Sequence, residues 1–422
     1  MGYRIASGPD LRAVRYLDAL PASSDIVVVG GGVVGCATAF YAARAGLKSL
    51  VIERRPRLAT LTTAASTGAF RLQFDNPDEI ELVREGVELF ESFPERTGLA
   101  GWDLGLRRSG YLFCALTEDG VEHGRRLVDR QRSWGVTDVE LLPGDEARRR
   151  FPYLSDAVVE ARYRARDGWL DPRRLALGFA TGASHPQGIP DSEGAGGASF
   201  VVGTAVTGLE PAGTASVRVV TDRGGLDAGH VVLAGGPFLG ELAALAGVGI
   251  NLRPTRRQKL VFPELPDVPS HAPMTIEAET AAHWRPAFGG GCFCLWTETG
   301  TPSGPPLEDV PTETAWAFGL LDPASPHALA RVAPFWRRVW ERGSDHWYLQ
   351  AGQYEYTPDR RPYIGPTEVP GISLNGGYSG HGIMASPGGS RRVIDLMLAR
   401  VDRAANPFRP DRPMAGRELD VL

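Results

Sequence analysis

The spacing with the clearest chemical meaning is Gly30-x-Gly32-x-x-Gly35. It follows the uncharged β-branched run Ile26–Val29 and opens an Ala-rich segment that ends at Gly46. There the first glycine permits a tight turn, the second lets backbone approach a pyrophosphate, and the third lets a helix pack closely on a strand. Val33 and Val34 would sit in the first turn of that helix, where backbone amides favour phosphate oxygens. Glu53, followed by Arg54, closes the next short apolar strand and is placed to accept hydrogen bonds from a ribose. Strand, glycine turn, helix, strand and acid in register predict a bound dinucleotide.

The elements around this motif set its context. The chain has 422 residues, 43% hydrophobic and 23% charged, with four cysteines and a formal charge of −5. That composition excludes a disulfide scaffold and low-complexity disorder, and no excess of positive charge awaits nucleic acid or an anionic bilayer. Residues 26–43 carry no charge, but Gly30, Gly31 and Gly32 interrupt them, so they read as strand, turn and helix rather than as a membrane span or secretory signal. Cys36, Cys114, Cys292 and Cys294 fit neither a disulfide framework nor a zinc site, and no metal is expected. Reduced thiols and a cytoplasmic location follow. Lysine occurs only at positions 48 and 259 against 43 arginines, so a single Arg carries little information and a Lys carries more.

Helices are predicted over residues 77–95, 118–134, 238–246 and 390–401, and strands near 107–116, 200–202, 216–220, 230–233 and 371–375. Residues 251–298 are β-like, and residues 182–199 read as a polar surface insertion. Strands able to complete a nucleotide-binding sheet lie near the start, middle and end of the chain. This predicts a discontinuous nucleotide domain of residues 25–105, 150–250 and 345–422. A second domain of 106–149 and 251–344 is inserted, and residues 1–24 form an N-terminal extension.

From the first motif to the C-terminus the chain resembles the D-amino-acid oxidase, sarcosine oxidase and glycine oxidase superfamily of FAD-dependent oxidoreductases. The resemblance rests on residues 25–54, Ala65–Arg71, Asp167–Pro172, Val231–Gly236, Trp284–Pro286, Tyr356–Gly365, Gly376–Gly382 and the tail Asn406–Arg412. It implies an α/β + β fold, with a discontinuous Rossmann-like FAD-binding domain and an inserted, mainly antiparallel β-sheet substrate domain. It also implies FAD contacts from Ser66, Thr67 and Gly68, from Val206 at the adenine, and from Ala234 and Gly235 at a strand end. Gly380, His381, Gly382, Ile383 and Met384 would open a loop or helix whose amides stabilise negative charge on the reduced flavin. Cys292 resembles the residue that attaches flavin covalently in monomeric sarcosine oxidases. An extra glycine before it puts the register out of step, so non-covalent FAD is favoured.

The departures from the family pattern concern substrate. Phe74 and Met384 stand where sarcosine-oxidase-like sequences often place Arg and Lys, which leaves Arg71 and Arg285 as candidate contacts to a carboxylate. Lys259 reads either as a cation that favours reaction of flavin with O2 or as a solvated side chain. Tyr356, with Tyr354, Trp347, Tyr348 and Tyr378, could wall a pocket that disfavours a protonated amine. His381 is expected beside the flavin. The implied reaction is oxidation of a C–N bond in a small amine or amino acid, with hydride transfer to flavin N5 giving an imine, and reoxidation by O2 or another acceptor. The rival readings are an FAD-carrying subunit that relays electrons within a multimeric amine dehydrogenase, or a flavin monooxygenase. A monomer or small homo-oligomer is expected.

Overall fold

In the computed structural model the described residues are 13–194, 196–213, 216–298 and 300–414. Residues 1–12 of the expected extension lie outside them. Residues 13–22 pair with the sheet edge, where Phe200 and Leu17 exchange backbone hydrogen bonds with Arg15 and Phe200 at 2.9 Å.

The glycine motif folds as expected. Strand β1 (Ser23–Val29) leads through the turn into helix α1 (Val33–Arg44), and strand β2 (Lys48–Glu53) returns parallel to β1. β1 lies between β2 and the Gly224–Leu233 strand, with Gly197–Val202 outside β2 and Ile372–Gly376 outside Gly224–Leu233, all parallel. The Tyr363–Pro366 strand closes one edge antiparallel. Side chains alternate across the sheet, so both faces are buried. Ile26 and Val28 join the core under α1, whereas Val27 and Val29 join the core under the Leu239–Leu245 helix. Helix α1 approaches its strand so closely that a Cβ on Gly35 would lie 1.8 Å from the Gly30 carbonyl oxygen.

The second sheet has eight strands, in the order Tyr348–Tyr356, Arg253–Phe262, Cys292–Leu295, His283–Pro286, Met274–Glu277, Tyr111–Ala115, Glu160–Arg164 and Glu140–Pro143. All neighbours are antiparallel except Met274–Glu277 and Tyr111–Ala115. Helices Thr314–Leu321 and Phe335–Arg342 cover one face around Trp284, Trp316 and Trp336. The other face carries Lys259, Phe293 and Arg285, whose cationic groups pack on the Phe293 ring.

Three sequence expectations shift. Glu160–Arg164 and Tyr348–Tyr356, assigned to the nucleotide unit, belong to the second sheet, because they pair with Tyr111–Ala115 and, from Val261↔Tyr348 to Arg253↔Tyr356, with Arg253–Phe262. The Pro172–Ser184 helix and the Gly197–Val202 strand take up both ends of the expected insertion at 182–199. The helix expected at 390–401 spans Gly382–Met397, with Pro387 inside it. Pro387 has no N–H for the Ile383 carbonyl, and the Ser386 hydroxyl donates there instead, at 3.2 Å.

Gly35→Ala is expected to destabilise the chain by about 3 kcal/mol, because the added carbon overlaps backbone that cannot rotate away. Thermal unfolding of the purified variant checks this. An unchanged melting temperature would contradict the described contact.

Candidate active site

A long cavity of about 380 Å³ runs between the sheets from the glycine turn to the start of the Gly382–Met397 helix. Of the residues expected at the cofactor, Gly30, Gly32, Val33, Val34, Glu53, Arg54, Ser66, Thr67, Val206, Ala234, Gly235, Gly380, Gly382 and Ile383 line it. His381 and Met384 line the second cavity, and Gly35 and Gly68 line neither. Gly30 has φ +116°, and a Cβ there would meet the Ala234 carbonyl oxygen at 2.4 Å, so only glycine keeps this end of the cleft open. Two helix N-termini, of α1 and of Gly382–Met397, open onto the cavity and favour anionic groups. The Val33 amide already donates to Thr63 Oγ1 at 3.1 Å.

The Glu53 carboxylate accepts hydrogen bonds from the Gly31 and Arg55 amides at 2.6 and 2.8 Å. Burial pushes its pKa up. Arg54 lies 3.6 Å over the Phe238 ring, and Glu308 bridges Arg54 and Arg55 from a loop of the second unit. These groups fit a dinucleotide: glycine cradle, ribose acceptor and amide-rich ends.

The second cavity, about 110 Å³, shares Ser66, Thr67, Tyr354, Gly380 and Ile383 with the first. Phe74, Tyr111, Met274, Ile276, Tyr356 and Met384 give it an apolar and aromatic lining, and Arg71, Asp75, Glu79, His283, Arg360 and His381 add polar groups. The His381 ring meets Phe74 edge-on at 4.9 Å, and Arg71 lies 4.4 Å over the same Phe74 ring. His283 Nδ1 is 2.7 Å from the Ala281 carbonyl, which can only accept, so Nδ1 carries the proton and Nε2 is left as an acceptor. Burial lowers the His283 pKa to about 4, so this ring is neutral near pH 7.

The segment that carries Arg71 and Phe74 is fixed from below by Asp167. This fully buried carboxylate accepts from the Leu72 amide at 3.1 Å, from Gln73 Nε2 at 3.0 Å and from Arg164. Its own motif, Asp167–Pro172, was legible in the sequence, but its partners were not.

Several candidates lie elsewhere than expected. Arg285 lines neither cavity. Its guanidinium donates to the Pro286 and Thr67 carbonyls and stacks 4.1 Å over Trp169, so it supports the Ser66–Gly68 segment from behind. Cys292 is fully buried with Cys294 in the tryptophan-rich core on the far face of its strand, and it also lines neither cavity. Strand alternation puts Phe293 on the opposite face, where its ring lies under the Lys259 and Arg285 cations. Among the expected aromatic walls, Tyr354 and Tyr356 line the second cavity. Tyr348 is exposed, Trp347 packs on the tryptophan-rich core, and Tyr378 donates to Asn375.

Lys259 is not solvated. It is 3% exposed, lines the long cavity, and donates to the Ser66 carbonyl at 3.1 Å. Burial, helped by the Arg285 and Arg173 guanidiniums, lowers its pKa to about 7. The sequence reading missed Arg360, His283 and Glu355. Glu355 is a buried carboxyl on the long cavity whose pKa burial raises to about 7.

Fold and site together define an FAD-dependent oxidoreductase. Residues 25–396 match the family described as FAD dependent oxidoreductase, and the chain belongs to this D-amino-acid oxidase family, within the superfamily that includes sarcosine and glycine oxidases. FAD-dependent oxidoreductase domain-containing protein 1 of Xenopus laevis is 26% identical over 414 residues, 90% of this chain and 80% of that protein. Mitochondrial dimethylglycine dehydrogenase of Rattus norvegicus is 23% identical over 89% of this chain but only 43% of that enzyme. Among solved structures, L-proline dehydrogenase from P. horikoshii superposes with TM-score 0.78 at 24% identity, covering 93% of this chain and 98% of that one. Glycine oxidase from Geobacillus kaustophilus gives TM-score 0.77 at 23% identity, covering 94% and 100%. Among the described residues no helix is long and apolar enough to cross a membrane.

The Lys259 environment has a pH signature. Its folded pKa of about 7 lies below its ordinary 10.5, so between these values the unfolded chain binds more protons and stability rises with pH. Lys259→Met is therefore expected to raise the melting temperature most near and below pH 7, with the gain shrinking toward pH 10. A gain independent of pH in melts across that range would contradict the assignment.

Proposed function

We propose that the protein oxidises a C–N bond in an amine or amino acid, with the substrate in the second cavity and FAD in the long one. The observation that carries this reading is the shared wall of Ser66, Thr67, Tyr354, Gly380 and Ile383, which puts a small aromatic-lined pocket against the dinucleotide cleft. Relatives whose names specify amine substrates support it, among them dimethylglycine dehydrogenase, sarcosine dehydrogenase and 4-methylaminobutanoate oxidase. When bound, FAD supplies the two-electron acceptor that turns an amine into an imine, and O2 or another acceptor reoxidises it.

The chain's own residues do the rest. The Glu53 carboxylate and the glycine turn hold the adenosine and pyrophosphate portions. The first amides of Gly382–Met397 face the ring system, where the helix dipole favours negative charge. Phe74, Tyr111, Tyr354 and Tyr356 exclude water, which disfavours an ammonium and leaves the amine with its reactive lone pair. Neutral His283 offers Nε2 as an acceptor for a substrate N–H. His381, held edge-on by Phe74, sits where substrate and cofactor meet. Phe74 and Met384 bury apolar groups where a cationic clamp would hold a small N-methyl amino acid, so a bulkier or more apolar amine suits the pocket better.

Anaerobic mixing of the flavin-loaded protein with a panel of amines and amino acids tests this reading. Bleaching of the flavin absorbance is expected with at least one apolar or bulky member, and sarcosine is expected to be slower by at least about 10-fold, the loss for one missing charge-assisted hydrogen bond. His381→Ala should slow bleaching without releasing FAD. A flavin that no panel member bleaches would refute the proposal.

A further inference from the structure

Arg360 combines three features that a surface arginine does not need. It lines the second cavity, its Cζ lies 3.6 Å over the Tyr356 ring, and its backbone has φ +62°, a conformation that non-glycine residues rarely adopt. The surrounding turn enforces that conformation. Its amide donates to the Thr357 carbonyl at 3.2 Å, and Asp359 receives the Thr357 hydroxyl and the Arg361 amide, both at 3.2 Å. A fork from Arg412 then fixes Asp359 at 2.7 and 2.9 Å. Strain held in place this firmly is characteristic of functional positions.

The charge around Arg360 is unbalanced. Arg257 donates to the Tyr356 hydroxyl from Nε and Nη2 at 3.2 and 3.0 Å, so two guanidiniums engage one phenol, one at its oxygen and one over its ring. Neither forms an ion pair among the described residues. The acids nearest in sequence are engaged elsewhere, Asp359 with Arg412, and Glu355 buried on the long cavity. Arg71, Asp75 and Glu79 line the same pocket, but none of the three is without a partner. Burial disfavours the Arg360 charge, the Tyr356 phenol offsets part of this, and Arg257 and Arg253 add to the burden, which an anion would relieve.

We propose that Arg360 is the specificity-determining residue for an anionic group on the substrate. A carboxylate lies against its guanidinium at Tyr356, and Arg257 acts as a positioning residue through the Tyr356 hydroxyl. This deepens the amine-oxidation reading and rests on its placement of the substrate pocket. It moves the anion contact from Arg285, which the fold uses for support, to a residue in the pocket.

The backbone conformation supplies an unusually clean test. Glycine adopts φ +62° without strain, so Arg360→Gly removes the cation while favouring the fold. Propionate and its neutral counterpart propionamide are titrated into flavin-loaded wild type, Arg360→Gly and Arg360→Lys, and the flavin absorbance shift is read. Arg360→Gly is expected to melt no lower than wild type and to keep its FAD spectrum. It should bind propionate about 10- to 100-fold more weakly, as expected for a lost charge-assisted hydrogen bond, and propionamide within about 2-fold. Arg360→Lys should recover part of the propionate affinity. A wild type indifferent to propionate, or an FAD-loaded Arg360→Gly with wild-type propionate affinity, would overturn the proposal. Propionate discrimination without flavin reduction by any amine would refute amine oxidation and uphold the anion site.

Discussion

The buried carboxylate of Asp167 is the constraint on which the site depends. It leaves the second sheet just after Glu160–Arg164 and gathers Arg164, Gln73 and the Leu72 amide, so one ion fixes the segment that enters the pocket from the nucleotide unit. A carboxylate without water is tolerated only when its oxygens are saturated, and here the saturating groups come from both parts of the chain. The exchange works in both directions. Asp167 obtains two of its three donors only if Leu72 and Gln73 run past it, and the Leu72 amide and Gln73 side chain are held in turn by its oxygens. Arg71 and Phe74 therefore reach the pocket on a backbone with little freedom.

Beneath this junction the two sheets divide the work. The parallel sheet, buried on both faces, brings the glycine turn, Glu53 and the Ala234–Gly235 strand end to one edge. The antiparallel sheet turns its tryptophan-rich face away and presents Lys259, Tyr354 and Tyr356 toward that edge. Arg285 belongs to this supporting layer. Its donation to the Thr67 carbonyl stiffens the loop that both cavities share. A cation can thus be essential to a pocket without touching what the pocket holds.

What the sequence revealed and what it withheld follow from the range of the interactions involved. Gly30, Gly32, Gly35 and Glu53 were legible because their roles are local: a turn, a close approach and a strand end within one supersecondary unit. The return of strands at 230–233 and 371–375 was legible from their apolar runs. Membership of Glu160–Arg164 and Tyr348–Tyr356 in the second sheet was not, because it is fixed by partners far away in sequence. The start of the last helix was hidden for a different, local reason: Pro387 reads as a helix breaker, and the Ser386 hydroxyl that takes over the Ile383 carbonyl leaves no sequence signature. Among 43 arginines, nothing local separates Arg285 as a support from Arg360 as a pocket residue. Only burial and hydrogen-bond partners do so, and they also turned Lys259 from a solvated side chain into a wall of the cleft.

Tyr354 and Tyr356 stand on one face of a strand whose backbone is paired residue by residue with Arg253–Phe262. The ladder depends on amides and carbonyls, so the pocket wall can be repainted, one alternate position at a time, while the strand keeps its register. The same architecture thus accommodates relatives at 23–27% identity, because evolution can retune what the pocket admits without renegotiating how the chain folds.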